Sequence, residues 1–120
     1  MRDHIIYHLA LEAEWDAARG GAYAGTADDQ RDGFIHFSTA VQVAASAARH
    51  RAGRADVVLV AVDATALGDA LHWEESRGGA LYPHLYGPLP PQAVIEAAPL
   101  PLGDDGRHVF PPPIPPAMDS

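Results

Sequence analysis

Apolar runs along the chain predict where its main strands lie. The most hydrophobic run, residues 57–63, is rich in β-branched side chains and is bounded by acids. A continuous run of this kind predicts a central strand that is covered on both faces. Shorter runs over residues 4–9, 34–37 and 93–98 predict three further strands.

Two later segments show alternation in place of continuous hydrophobicity. Residues 69–75 alternate between apolar and polar side chains, which predicts an edge strand or one strand of an antiparallel pair. In residues 81–87, extended backbone would place three side chains on one face, namely Tyr82, His84 and Tyr86. Pro83 lacks the N–H that an interior strand uses, so this segment is predicted to be an edge strand or an irregular stretch.

Helical periodicity is confined to two segments. Three apolar side chains recur at helical spacing ahead of a glycine pair and predict the first helix: Leu11, Trp15 and Ala18. A second helix is predicted over residues 40–51, because Thr39 and Gln42 have the spacing of a capping box. The polar residues 24–32 predict a loop. Two helices on a mixed or largely antiparallel sheet indicate an α+β fold.

The chain length of 120 residues fits a single domain. We expect this domain to occupy residues 1–102 and a Pro-rich tail to occupy residues 103–120. The chain has no cysteine, which excludes disulfides, thiolate metal sites and a cysteine nucleophile. The sequence shows neither a signal-peptide pattern nor an apolar run of membrane-spanning length, so we expect a cytoplasmic protein with no membrane partner.

The charged residues narrow the classes of ligand. The formal net charge is -8, and all eight basic residues are arginine. Such a chain offers no basic stripe for a long nucleic acid. The absence of lysine excludes Schiff-base chemistry and a lysine-dependent phosphate loop. A small anionic ligand that is held locally remains compatible with this composition.

Three of the seven histidines are candidates for chemistry, because each lies in a strand-like segment among aromatic residues: His8, His36 and His84. We expect the other four to be solvated at the surface, namely His4, His50, His72 and His108. The second strand would deliver His36 and Ser38 to the N-terminus of the second helix, where backbone donors favour an anion. The alternative is that each candidate is a hydrogen-bonded structural histidine.

Other reaction classes receive less support from the motifs. No His-x-His or His-Glu-x-x-His spacing marks a zinc or iron site, so no metal is expected. Ser38 lacks the glycine-flanked elbow of a hydrolase nucleophile. His36 and Ser38 form one His-x-Ser pair of the kind expected twice in a two-histidine phosphoesterase, but residues 8–10 do not supply the second.

A charged cluster lies beside Trp73 and contains Glu74 and Arg77. In one interpretation Arg77 grips a phosphate while Glu74 orients the arginine or a sugar hydroxyl. The alternative is a charged hairpin end, whose surface ion pairs contribute little to stability.

Motifs in order along residues 4–100 resemble a bacterial family known as domain of unknown function 952. They are Ile6-Tyr7-His8, residues 33–39 with Gln42, the run of residues 57–63, Trp73-Glu74, and residues 82–87 leading into Leu89-Pro90. The His-Phe-Ser-Thr and Pro-His-Leu-Tyr-Gly blocks are the most specific of these.

That family is in turn similar to a compact ADP-ribosyltransferase, a superfamily that includes the RNA 2'-phosphotransferases. The resemblance implies a small split sheet whose cleft binds NAD, ADP-ribose or a phosphorylated nucleotide or RNA end. It matches Tyr7-His8 to an aromatic-then-His pair whose histidine contacts the adenosine-side ribose, and His36 to a nicotinamide-side tyrosine. Gln92 falls nearest to the place of the glutamate that activates the acceptor.

The resemblance implies a transferase of the ADP-ribosyl or 2'-phosphate type that uses NAD. The predicted catalytic residues are His8, His36 and His84. The predicted ligand-binding residues are Tyr7, Ser38, Thr39, Glu74, Arg77, Tyr86 and Gln92. The alternative is a non-catalytic module that binds a nucleotide or another small metabolite in the same cleft.

Overall fold

Two small antiparallel sheets and three short helices make up the part of the chain that the computed structural model describes, residues 4–111 and Ile114. In chain order the elements are β1 (Ile5–Leu11), α1 (Glu12–Ala17), α2 (Ala27–Asp32), β2 (Ile35–His36), α3 (Val43–His50), β3 (Val57–Asp63), β4 (Leu71–Glu75), β5 (Leu81–Leu85) and β6 (Val94–Pro99). Short stretches of 3-10 helix lie at Ala64–Ala70, Arg77–Gly79 and Pro91–Ala93.

β3 is the centre of the first sheet, whose strand order is β1-β3-β6. Its side chains are buried on both faces, with Val58, Val60 and Val62 in one core cluster and Val57 and Leu59 in another. The prediction of a central strand over residues 57–63 is therefore confirmed. β1 and β6 also form where apolar runs predict strands, because each buries side chains against β3.

The second sheet has the order β2-β5-β4, so β5 is its central strand. The prediction that residues 81–87 form an edge or irregular segment is therefore wrong. The Pro83 carbonyl accepts a 3.0 Å hydrogen bond from the Phe37 N–H, so the proline nitrogen also faces this side, just beyond the end of β2. On the other side, the Tyr86 N–H donates to the Ala70 carbonyl at 2.8 Å. The backbone hydrogen bonds between β5 and β4 therefore do not require an N–H at Pro83.

β1 and the chain that follows β2 join the two sheets. Tyr7 and Ser38 exchange two backbone hydrogen bonds, each 2.8 Å long. All strand pairs in the described residues are antiparallel. The predicted α+β class is confirmed with two small antiparallel sheets, and the mixed alternative does not occur in this part of the chain.

α3 begins at Val43 and not at residue 40 as predicted. Residues 39–42 form a turn instead, in which the Gln42 side-chain oxygen accepts a 3.0 Å hydrogen bond from the Thr39 N–H. The Gln42 amide also donates to the Leu81 carbonyl at 2.8 Å, which ties the turn to β5. α1 forms where the helical spacing predicts it.

α2 replaces the loop that was predicted over residues 24–32, and that prediction is wrong. Thr26 and Asp29 form a capping box, in which each side chain accepts a hydrogen bond from the other residue's backbone N–H. Gly33 ends the helix with a φ of 90°, a left-handed conformation that favours glycine. These two end signals stabilise a helix whose polar composition is typical of a loop.

The described residues beyond Gly103 form no helix or strand apart from an isolated bridge between Leu102 and His108. Phe110 packs on the second core cluster, and Ile114 is buried within it. The domain boundary at residue 102 stays a prediction, and most of the proline run lies outside the described residues.

None of the helices in the described ranges is long and apolar enough to cross a membrane.

Candidate functional site

One face of the second sheet carries a row of three histidines. His36 in β2 lies opposite His84 in β5, and His84 lies opposite His72 in β4. Directly opposed residues of antiparallel strands point to the same face, so the three imidazoles share one surface. On the other face, Ile35 and Leu85 are buried in the first core cluster. This burial fixes the register that presents the histidines.

A cleft of about 160 Å³ opens between this surface, β1, α2 and α3. All three histidines predicted to be catalytic, His8, His36 and His84, line it. Its charged residues come from α2 on one side and from the C-terminal end of α3 on the other: Asp28, Asp29, Arg31, Asp32, Arg49 and Arg51.

His36 is held between two carboxylates of α2. Its Nδ1 lies 2.5 Å from Asp29 Oδ1, and its Nε2 lies 3.2 Å from Asp32 Oδ2. The His36 side chain keeps 43% of its surface exposed, whereas that of Asp29 keeps 3%. A buried carboxylate therefore orients a ring that remains accessible from the cleft.

Asp29 is the buried hub of this arrangement. Its carboxylate accepts hydrogen bonds from the Thr26 N–H at 2.8 Å and from the His36 N–H at 3.2 Å, in addition to the His36 ring. Burial pushes the pKa of Asp29 upward, but the hydrogen bonds from His36 and Thr26 outweigh burial and hold the pKa below its ordinary value. Asp29 thus caps α2 and positions His36 at the same time.

His8 forms the buried floor of the cleft, with 2% of its surface exposed. Its Nδ1 donates to the His36 carbonyl at 2.7 Å, because a carbonyl oxygen can only accept. Its Nε2 then accepts a 2.8 Å hydrogen bond from the Tyr23 hydroxyl. Burial lowers the pKa of His8, against the opposing charge of Asp29, so the ring is neutral at neutral pH. Both nitrogens are engaged, as in a structural histidine.

His84 is anchored by Glu74. Its Nδ1 lies 2.7 Å from a Glu74 carboxylate oxygen, which also accepts a 2.7 Å hydrogen bond from the Tyr86 hydroxyl. Phe34 stacks on the imidazole with ring centroids 4.1 Å apart. Among the described residues Nε2 of His84 has no hydrogen-bond partner, and the residue lines the cleft. Nε2 is therefore available to a ligand.

Arg49 and Arg51, at the end of α3, differ in their contacts from Arg31 of α2. Arg31 is paired with Asp28 at 3.4 Å and with Asp32 at 3.1 Å. Arg51 donates to the backbone carbonyls of Leu9 and His50, and neither Arg49 nor Arg51 is ion-paired with a carboxylate in the described residues. This side of the cleft consequently carries two guanidinium groups that form no ion pair with a described acid, although the charge of Arg51 helps to lower the pKa of Asp56.

Ser38 lies in the cleft but not at a helix N-terminus. Its hydroxyl is hydrogen-bonded at 2.9 Å to that of Ser46, which lies inside α3. The predicted corner that would aim His36 and Ser38 at a helix start is therefore wrong, because α3 begins later and its side packs against Ser38. Tyr7 lines the cleft and is buried, whereas Thr39 is buried outside the lining.

Of the other predicted ligand-binding residues, Glu74, Tyr86 and Gln92 do not line the cleft. Glu74 and Tyr86 lie on the same sheet face and act on His84 through their hydrogen bonds. Gln92 is exposed in the 3-10 turn before β6 and is not part of the lining. The Arg77 side chain lies outside what the structure describes, so its predicted pairing with Glu74 stays a prediction.

Sequence reasoning missed the acids of α2 and the basic end of α3. The Thr26-x-x-Asp29 capping box ahead of Gly33 is a sequence signal for α2. A helix predicted there would end just before β2 and so place Asp29 and Asp32 near His36. His50 and His72 are exposed as predicted, but His50 lines the cleft and His72 belongs to the histidine row.

The rest of the described surface offers less chemistry. Within residues 4–111 no group of three or more His, Asp or Glu side chains is arranged to hold a metal ion. A second cavity of about 420 Å³ lies on the other side of Tyr23 and is lined mainly by apolar residues, including Trp15, Leu89 and Val94. Its one charged lining residue among those described is Arg19, which pairs with Asp16 at 2.9 Å.

Comparison with known proteins identifies relatives of the whole domain. The family described as protein of unknown function (DUF952) matches residues 9–97. A crystal structure of protein CC0527 from Caulobacter crescentus is 47% identical, with 88% of this chain and 93% of that chain covered and a TM-score of 0.83. A solution NMR structure of CC0527 is also 47% identical, with 88% and 91% of the two chains covered and a TM-score of 0.77. No curated protein matches the chain.

These relatives confirm one part of the resemblance. None of their descriptions names an ADP-ribosyltransferase or a 2'-phosphotransferase, so that finer similarity stays a prediction. The family match spans more than half of the chain, and the CC0527 structures share its fold at high identity. The chain therefore belongs to the family of proteins of unknown function designated DUF952.

Proposed function

We propose that the cleft binds the phosphorylated ribose end of a nucleotide, and that the protein is a transferase of the ADP-ribosyl or 2'-phosphate type. The observation that carries the proposal is the combination of positive charge and anchored imidazoles in one cleft. Arg49 and Arg51 supply guanidinium groups that form no ion pair with a described carboxylate. His36 and His84 are each oriented by an acid.

The charges favour a phosphate over a neutral ligand. The acids of α2 already have cationic or imidazole partners, since Asp28 and Asp32 pair with Arg31 and Asp29 holds His36. A guanidinium presents a planar fork of donors that matches phosphate oxygens. Arg49, which is exposed at the rim, can therefore receive a phosphate without first breaking an ion pair to a described residue.

The volume favours a ribose phosphate over a whole dinucleotide. A cleft of about 160 Å³ is below the roughly 300–1,000 Å³ of pockets that enclose drug-sized ligands. NAD or ADP-ribose would insert one phosphate or ribose and leave the remainder outside. The exposed ring of Tyr86, on the same sheet face as His84, offers a surface on which that remainder could stack.

The proposal assigns different roles to the predicted histidines. His36 and His84 contact the ligand, because one is accessible and the other lines the cleft with a ring nitrogen that has no partner among the described residues. His8 positions the His36 backbone, because its two nitrogens are already bonded to His36 and Tyr23. Binding of a nucleotide without turnover would favour the non-catalytic module.

Calorimetry and thermal shift test the binding. ADP-ribose, NAD and adenosine 2'-monophosphate are titrated into the parent protein, Arg49→Gln and Arg107→Gln. Arg107 is an exposed arginine outside the cleft lining, so its replacement removes the same charge as a matched control. We expect at least one nucleotide to bind, and Arg49→Gln to weaken it by about 10- to 150-fold, the effect of losing a charge-assisted hydrogen bond.

Two results would contradict the proposal. One is that no nucleotide binds the parent at millimolar concentration. The other is that Arg49→Gln and Arg107→Gln weaken binding equally, which would indicate a general effect of net charge. A product assay with NAD and with 2'-phosphorylated RNA ends then separates a transferase from a binding module.

A further inference from the structure

We infer that the cleft catalyses hydrolysis of a ribose phosphodiester, with His84 as the general base and His36 as the general acid. This inference rests on the proposed function, because it needs a ribose phosphate in the cleft. It adds to the proposed transfer a second activity in which water is the acceptor, and it names the bond that is broken and the side chain that carries each proton. It draws on two carboxylate-anchored imidazoles that face one another across adjacent strands.

His84 has the geometry of a base. A carboxylate can only accept when ionised, so the 2.7 Å contact with Glu74 places the proton of the neutral ring on Nδ1. The lone pair is then on Nε2, which has no partner among the described residues and lies at the cleft. Glu74 is a positioning residue that fixes this tautomer, and Phe34 restrains the ring by stacking on it.

His36 has the geometry of an acid. Both of its nitrogens face carboxylate oxygens, with Asp29 at Nδ1 and Asp32 at Nε2. A ring that carries protons on both nitrogens can keep the bond to buried Asp29 while its Nε2 proton is given to a substrate. Asp32 is exposed and also pairs with Arg31, so it keeps a cationic partner when the Nε2 proton of His36 goes to a substrate.

The spacing of the two rings suits one small substrate. Their centroids are 5.6 Å apart and their planes are inclined at 68°. No phosphate fits between rings this close, so the substrate would rest in the cleft against both rings, and general acid–base catalysis requires hydrogen-bond reach of each from that position. Arg49 and Arg51 line the same cleft and would neutralise the phosphate charge as it builds up.

The step balances without a further reactant. Nε2 of His84 takes a proton from water, and the water oxygen forms a bond to phosphorus. The bond between phosphorus and the ribose oxygen breaks, with its electron pair on that oxygen, which takes the Nε2 proton of His36. The products are a phosphate monoester and a free ribose hydroxyl, and proton exchange with solvent restores both rings.

Hydrolysis of adenosine 2',3'-cyclic monophosphate, followed by chromatography of the products, tests the inference. We expect turnover by the parent and a fall in kcat of about 100- to 10,000-fold in both His84→Ala and His36→Ala. His72→Ala is the matched control, because His72 lies in the same row directly opposite His84 but does not line the cleft. Its kcat should stay within about twofold of the parent value, a change of no more than about 0.4 kcal/mol in the barrier.

A second measurement covers the case in which a His84 variant fails to fold. Long-range proton–nitrogen spectra of the parent protein should show His84 in the tautomer with the proton on Nδ1. A proton on Nε2 would overturn its assignment as the base. The inference also fails if nucleotides bind as proposed but the cyclic phosphate is not hydrolysed, or if His84→Ala and His72→Ala lose activity equally. Failure of every nucleotide to bind would instead contradict the proposed function itself.

Discussion

Asp29→Ala is expected to lower the free energy of unfolding by about 2–4 kcal/mol, the combined cost of losing a helix cap and leaving hydrogen-bond donors without their acceptor. The carboxylate is 3% exposed and accepts hydrogen bonds from the Thr26 N–H, the His36 N–H and the His36 ring. Its removal leaves these donors buried or half-buried without an acceptor and also removes the cap of α2. Urea denaturation followed by circular dichroism measures the loss.

Asp28→Ala is the matched control for Asp29. Asp28 is the preceding residue of α2, is exposed, and pairs only with Arg31 at 3.4 Å among the described residues. Its replacement should change the free energy of unfolding by less than about 0.5 kcal/mol, as is usual at the surface. If the two variants lose equal stability, Asp29 is not the hub of the site.

His8→Ala is expected to lower the free energy of unfolding by about 2–4 kcal/mol, even though His8 was predicted to be catalytic. The change creates a cavity and leaves the His36 carbonyl and the Tyr23 hydroxyl without their partner. His72→Ala, at an exposed position, should lose less than about 0.5 kcal/mol. Equal melting temperatures for the two variants would show that His8 is not part of the core.

The lowered pKa of His8 predicts how the free energy of unfolding depends on pH. Burial lowers the pKa of His8 in the folded state, while the unfolded chain takes up the proton near pH 6.5. Below that pH the unfolded state binds more protons than the folded state, so stability falls with acidification, by at most about 1.4 kcal/mol per pH unit from this residue. Asp29, whose pKa is also lowered, adds a further loss below about pH 4. The loss of stability between pH 7 and 5 should be smaller in His8→Ala.

Strands with continuous apolar runs could be predicted from the sequence. A strand that is buried on both faces carries apolar side chains at successive positions, and this pattern is distinct from that of a surface segment. β3 is the clearest case, with Val60 and Val62 fully buried. The central position of β5 does not follow from the sequence, because the missing N–H of Pro83 alone indicates an edge strand. Whether that N–H matters depends on which neighbour it faces, and a chain read by itself does not give strand pairing.

The candidate site could be predicted only in part, for the same reason. The aromatic-rich segments around His8, His36 and His84 were readable, and the structure brings the three side chains to one cleft. The carboxylates that orient them come from other elements: Asp29 from a helix hidden by polar composition, and Glu74 from the register between β4 and β5. Arg49 reaches the cleft because it lies in the last turn of α3, and the end of that helix sets its place.

Titration of ADP-ribose into isotope-labelled protein, followed by NMR of the backbone amides and histidine rings, tests the central claim most directly. A cleft that binds the phosphorylated end of a nucleotide predicts the largest shift changes at His36, His84 and Arg49, all with one dissociation constant at or below the millimolar range. Residues of the second cavity, Trp15 and Val94, should change little. Shifts confined to that cavity, or no shifts at millimolar ADP-ribose, would contradict the account.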